Sequence, residues 1–160
     1  MSASESVAGE PAMDPSQDDL PPNIKAVLKR RSPASAYLGL EVLSADKAAR
    51  KVEVAYEASD QLCNLWGGIH GGMVAAMLDD VMALAIGLDL DWGQISPTLE
   101  MKVSMLNVAR PGRILGSAEV IKRGKSVGFV EGELRAEDGT VIARASSTAT
   151  YVTLKKKSES

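Results

Sequence analysis

The residues with the most chemical content lie in one window, NLWGGIHGGMVAAMLDD, residues 64–80. Gly71 and Gly72 fall where a loop becomes a helix. That junction leaves backbone N–H groups pointing outward at the positive end of a helix dipole, with no side chain in a ligand's way. Donors so placed can hold a developing oxyanion, as acyl transfer requires, and losing one typically costs ~2.7–4 kcal/mol of transition-state stabilisation. A glycine-rich turn that merely bends the chain is the competing explanation. Asp79 shares a helical face with Gly72, Ala75, Ala76, Met82 and Ala83. A carboxylate on such an apolar face is costly unless it is paired or working, as a general base works. Of Asp79 and its neighbour Asp80, one is expected to pair structurally or meet solvent. Asp79 is the candidate base.

His70 is the sole histidine, which leaves no cluster for a metal and no second imidazole for acid–base work. It reads as a loop-fixing group or a catalytic one. Asn64 can donate its amide to a substrate carbonyl or brace the loop. Neither a GxSxG elbow, a Walker motif nor a GxGxxG fingerprint appears.

The elements that must position this window follow from composition and period. The chain has 160 residues, 45% hydrophobic and 24% charged, with a formal net charge of −3. These values fit one globular domain and argue against a nucleic-acid binder. No apolar run approaches the ~18 residues of a membrane span. Cys63 is the only cysteine, so no internal disulfide forms; a reducing, cytoplasmic setting and a buried thiol are expected. Residues 1–20 and 155–160 read as disordered tails around a single domain at 21–154.

Within the domain, Ile24, Val27 and Leu28 predict a short helix over Asn23–Arg31, with Asn23 as its N-cap and Arg30 and Arg31 at its negative end. Strands are expected at Tyr37–Leu43 and Arg50–Glu57, then a long buried helix from Gly71 to Leu88. Four more strands fit Ile95–Val108, Arg113–Arg123, Ser126–Ala136 and Val141–Thr153, joined by hairpin turns and therefore antiparallel. A single sheet of this kind needs its apolar face covered, and the Gly71 helix is the element long enough to do it.

The pattern Asn64-x5-His70-Gly71-Gly72-x6-Asp79, followed by the Thr98 strand and the Gly124-Lys125-Ser126 turn, resembles the hotdog-fold acyl-CoA thioesterases of the phenylacetate-type (PaaI-like) subfamily. The resemblance covers roughly residues 35–153. It implies an α+β hotdog fold, a curled antiparallel sheet wrapped around a long central helix. It also implies hydrolysis of an acyl-CoA thioester, with no metal or cofactor. Asp79 falls at the family's general base or nucleophile and Gly71 at its oxyanion-binding N–H, with Gly72 beside it. Asn64 and His70 fall where the thioester and loop are oriented, and Thr98 where a hydroxyl positions water; Ser96 lies close enough to exchange with it. The implied assembly is a homodimer or homotetramer, with Asp79 of one subunit facing the 64–72 loop of the other.

Cationic partners for the phosphates of coenzyme A are expected among the basic turns, Arg123 and Lys125 foremost. Met82 and other methionines can line an adaptable acyl pocket or simply fill the core. Hydration of an acyl thioester needs a His-plus-acid motif that this sequence lacks. A non-catalytic acyl-CoA-binding regulatory or interaction module stays open as the alternative.

Overall fold

A computed structural model describes residues 22–30, 32–91 and 93–154. The tails expected at 1–20 and 155–160 lie outside them, as do Arg31 and the side chains of Asn23, Val27, Leu28 and Arg30. Helix α1, Pro22–Arg30, begins one residue before the expected cap and buries Ile24. A second helix, α2 at Pro33–Leu38, takes the place expected for the start of a strand. Its local causes are plain: Ser32 caps it by accepting from Ser35 N–H, Pro33 opens it, and Gly39 closes it in the left-handed region. Gly39 also lies so close to Glu57 that a Cβ would meet the Glu57 carbonyl oxygen at 2.5 Å. Strand β1 therefore starts at Leu40, not Tyr37, and runs to Asp46.

Strand β2, Lys51–Ala58, pairs with β1, and its residues Val52, Val54 and Tyr56 face inward. The central helix α3 runs Gly71–Gly87. After it come β3 (Gln94–Ile95), β4 (Thr98–Met105), β5 (Gly112–Arg123), β6 (Val127–Ala136), β7 (Val141–Thr150) and β8 (Val152–Thr153). The expected strand 95–108 is interrupted at Ser96-Pro97, where proline has no N–H for a ladder. The last expected strand is likewise divided at Tyr151, and the short piece β8 pairs with β3 in a separate ribbon.

Six strands form one antiparallel sheet in the order β1-β2-β5-β6-β7-β4, so β1 and β4 are its edges. This is the α+β hotdog arrangement, with the sheet curled about α3. Val74, Met77, Leu78, Val81, Leu84, Ala85 and Ile86 of α3 are buried in the core. The sheet accommodates the helix closely because glycines stand on its inner face. A Cβ on Gly132 would meet Met82 Cγ at 2.8 Å, and one on Gly128 would meet Ile86 Cδ1 at 2.6 Å. Among the described residues no helix is long and apolar enough to cross a membrane.

Candidate active site

The loop ahead of α3 is held by its backbone. Asn64 N–H donates to Gly68 O at 2.8 Å, Ile69 N–H to Ala109 O at 2.8 Å and His70 N–H to Leu62 O at 2.8 Å. Asn64 Oδ1 accepts Trp66 N–H at 2.9 Å, so the Asn64 carbonyl end braces the turn while its amide makes no hydrogen bond among the described residues. Gly68 permits close packing, since a Cβ there would meet Val108 Cγ1 at 2.9 Å. The braced turn carries Leu65 and Trp66 at its tip, 96% and 88% exposed.

His70 is the N-cap of α3, and its Nδ1 accepts Gly72 N–H at 3.0 Å. A neutral ring that accepts at Nδ1 carries its proton on Nε2, which leaves an N–H donor on the exposed side. The cap removes Gly72 from the donors expected to be free. Gly71 N–H makes no hydrogen bond among the described residues and lies at an exposed position. Gly72 is small for a local reason as well: a Cβ there would crowd His70 Nδ1 at 3.1 Å.

Further along α3, Gly72, Ala75, Ala76, Asp79 and Ala83 form a stripe that is exposed or half-buried. Asp79 is half-buried and its Oδ1 accepts from Thr98 Oγ1 at 2.9 Å. Thr98, not Ser96, is therefore the hydroxyl that meets this carboxylate. The β4–β7 ladder shifts register between Thr98 and Glu100, just after this residue. Met82, expected beside Asp79 as a pocket residue, is instead buried against Gly132.

Asp80 points the other way. Its Oδ1 accepts from Ser35 Oγ of α2 at 2.8 Å, and its Oδ2 is buried with no donor among the described residues. Burial pushes the Asp80 carboxyl above its ordinary range, against the Ser35 hydrogen bond and with help from neighbouring Asp79. Tyr56, whose hydroxyl donates to Met77 O at 2.8 Å, is pushed up by burial first and by Asp80 second. Of the two adjacent acids, one thus supports the helix from α2 and the other faces the open stripe. The Ser35 contact was not anticipated from sequence, although Ser32-Pro33 is a helix-start signal that places Ser35 in a helix.

Arg123 and Lys125 do not act alike. Arg123 Nη2 donates to Asp89 O at 3.3 Å, and the guanidinium stacks over the Tyr151 ring at 4.7 Å. Asp89 Oδ2 also lies 3.0 Å from Arg50 Nε and 3.7 Å from Arg123 Nε, close approaches without hydrogen-bond alignment. Arg123 is therefore occupied at the C-terminal end of α3, about 24 Å of helix away from Gly71. Lys125 is exposed and makes no hydrogen bond or ion pair among the described residues. Cys63 is half-buried, its Sγ 3.7 Å from Gly67 O. No group of three or more His, Cys, Asp or Glu that could hold a metal ion occurs among the described residues.

Comparison with known proteins bears on the fold and the family. The sequence profile of the thioesterase superfamily matches residues 67–143. A phenylacetic acid degradation-related protein from Ralstonia eutropha JMP134 superposes with a TM-score of 0.73 at 35% identity, covering 78% of this chain and 97% of that one. Acyl-coenzyme A thioesterase 13 of Homo sapiens is 28% identical over 127 residues, 78% of this chain and 89% of that protein. The PaaI protein of the E. coli phenylacetic acid degradation operon shares the fold, with a TM-score of 0.72 at 18% identity over 81% of this chain and 93% of that one.

Proposed function

This chain belongs to the thioesterase superfamily and is a thioester hydrolase, and from that premise we propose that it hydrolyses acyl-coenzyme A to a free acid and coenzyme A. The observation that carries the reading is Asp79, on the open stripe of α3 and 2.9 Å from the Thr98 hydroxyl of β4, in a helix that begins at Gly71, whose N–H makes no hydrogen bond among the described residues. A thioester suits so small a set of groups, because a thiolate leaves readily.

Asp79 takes a proton from water as the oxygen adds to the carbonyl carbon, or attacks that carbon itself and passes through an anhydride that water then opens. Thr98 holds the carboxylate, and through it the water. The oxyanion is held by Gly71 N–H, with the free Asn64 amide and His70 Nε2–H orienting the thioester at the same loop. Collapse of the tetrahedral adduct expels the coenzyme A thiolate. Lys125 is the better cation for its phosphates, since Arg123 already has partners.

One copy does not complete this site. Gly71 and Asp79 are eight residues apart, about 12 Å along the helix, whereas donor and base must both come within ~3 Å of the reacting group. Asp79 of one subunit is therefore read as working with the 64–72 loop of another. Edge strand β4, with Leu99 exposed along it, supplies a face on which a second copy can pair. The reading makes the protein a homodimer or a pair of dimers.

The test is release of free thiol from aryl-, short-, medium- and long-chain acyl-CoAs, followed with a thiol-reactive dye. Asp79→Ala is expected to lower turnover at least a hundredfold with its melting curve intact. Wild-type turnover in that variant would remove Asp79 from the chemistry. Ligand-dependent stabilisation without thiol release from any thioester would replace the hydrolase with an acyl-CoA-binding module.

A further inference from the structure

Gly71 has one neighbour across the cleft. The point where its Cβ would stand lies 3.7 Å from Met105 Cε, and no other atom outside the helix backbone and its chain neighbours comes within 4 Å of it. Met105 ends strand β4, paired to Ala143 of β7, so its backbone is fixed while its half-exposed thioether is free to turn. A carbonyl oxygen about 2.9 Å from Gly71 N places the carbonyl carbon roughly 4 Å from that nitrogen. A group bonded to that carbon on the β4 side extends toward the Met105 methyl, which stands 3.7 Å from the Gly71 Cβ position.

We infer that Met105 is a specificity-determining residue, a movable wall that limits the bulk accepted at the acyl α-carbon. This rests on the hydrolase reading and on Gly71 as its oxyanion donor. The choice of the acyl group over the coenzyme arm follows from the surroundings. The pantetheine arm carries two amides that need polar partners when they leave water. Beside Met105 stand Leu106 and Val108, both exposed and apolar, and the intervening Asn107 turns its amide to Val141 O at 2.8 Å. That strip suits hydrocarbon.

The experiment compares kcat/KM for matched pairs that differ by one α-methyl group, propionyl- against isobutyryl-CoA and phenylacetyl- against 2-phenylpropionyl-CoA. Met105→Ala is expected to raise the rate of the branched member relative to its partner about tenfold, and Met105→Phe to lower it by a similar factor, the scale on which pockets discriminate a methylene. Met105 is half exposed, so both variants should melt close to wild type. An equal change across all four substrates would place Met105 on the coenzyme arm, and unchanged kcat/KM for all four in both variants would remove it from the site; either overturns the inference. Silence of the wild-type enzyme toward every thioester, by contrast, would remove the hydrolase reading and this inference with it.

Discussion

At the N-terminal end of α3 the polar groups hold a loop still and leave one backbone donor open: His70 caps Gly72, Asn64 ties Trp66, and Gly71 N–H stays free. At its C-terminal end the carbonyl and carboxylate of Asp89 meet Arg123, Arg50 reaches the same carboxylate, and Tyr151 lies under the Arg123 guanidinium. One end is bordered by glycines and an exposed methionine; the other is closed by opposite charges and an aromatic ring. A helix dipole favours an anion at its start, where α3 has no acidic residue of its own, and cations at its finish, where Arg50 and Arg123 stand. On the proposed reading the contrast separates two tasks of a single helix, presenting a donor to substrate and anchoring the strand ends against which it works.

The contrast can be broken most forcefully at the open end. Gly71→Pro deletes the N–H at a first-turn position where proline is tolerated, and His70, at φ −59 and ψ 134, already has the extended backbone that precedes proline. The expected result is a 10²–10³-fold fall in kcat with an unchanged circular dichroism spectrum. Gly71→Ala keeps the N–H and should keep most of the activity; equal losses in the two variants would mean that shape, not the donor, matters there.

At the closed end Asp89→Ala removes the carboxylate that faces Arg50 and Arg123, whose side chains are 42% and 33% exposed, while Arg123 keeps its bond to the main-chain oxygen and its place over Tyr151. A loss of about 1 kcal/mol in unfolding free energy is expected, with kcat per folded molecule unchanged. A large fall in kcat without a shift in Tm would contradict the division of tasks.

Between the ends, Asp80→Asn sharpens the comparison through pH. The folded pKa of Asp80 is raised above 3.8, so the stability tied to its protonated form is complete below that value and is lost as pH rises through the folded pKa. Asparagine stays neutral and still accepts from Ser35. The Tm of Asp80→Asn minus that of wild type should therefore grow from pH 4 upward and level off once wild-type Asp80 is ionised; a difference independent of pH would show that Asp80 does not titrate in that window.

The smallest expected effect is a few-fold rise in KM for acyl-CoA in Lys125→Ala, without change in kcat. Arg123→Ala should act mainly on Tm. The reverse pattern would return the phosphate-binding role to Arg123.

The long helix, the antiparallel strands after it and the Gly71–Asp79 window were legible because each is a local pattern: apolar run, alternation, fixed spacing. What escaped depends on partners distant in sequence. Tyr37 and Leu38 look like strand because they precede an apolar run, yet Ser32, Pro33 and Gly39 bound a helix there. Arg123 looks like a free cation until the fold brings Asp89 and Tyr151 to it. Met82 shares the helical face of Asp79 in projection, but the missing side chain at Gly132 draws it into the core. The bond from Thr98 to Asp79 joins β4 to α3 across 19 residues, a contact that no local pattern announces.

The glycines on the inner face of the sheet carry a consequence for how this enzyme can be altered. Asp79 rides on α3 while Thr98 belongs to the sheet, so the clearance between helix and sheet is also the gauge of their 2.9 Å contact. A methyl group added at Gly128 would press on the Ile86 side chain and the Tyr151 hydroxyl from behind, at the far turn of the helix and away from the Asp79–Thr98 contact. If Asp79 is the base proposed above, its contact is open to adjustment from the back of the molecule, by a shim under the helix.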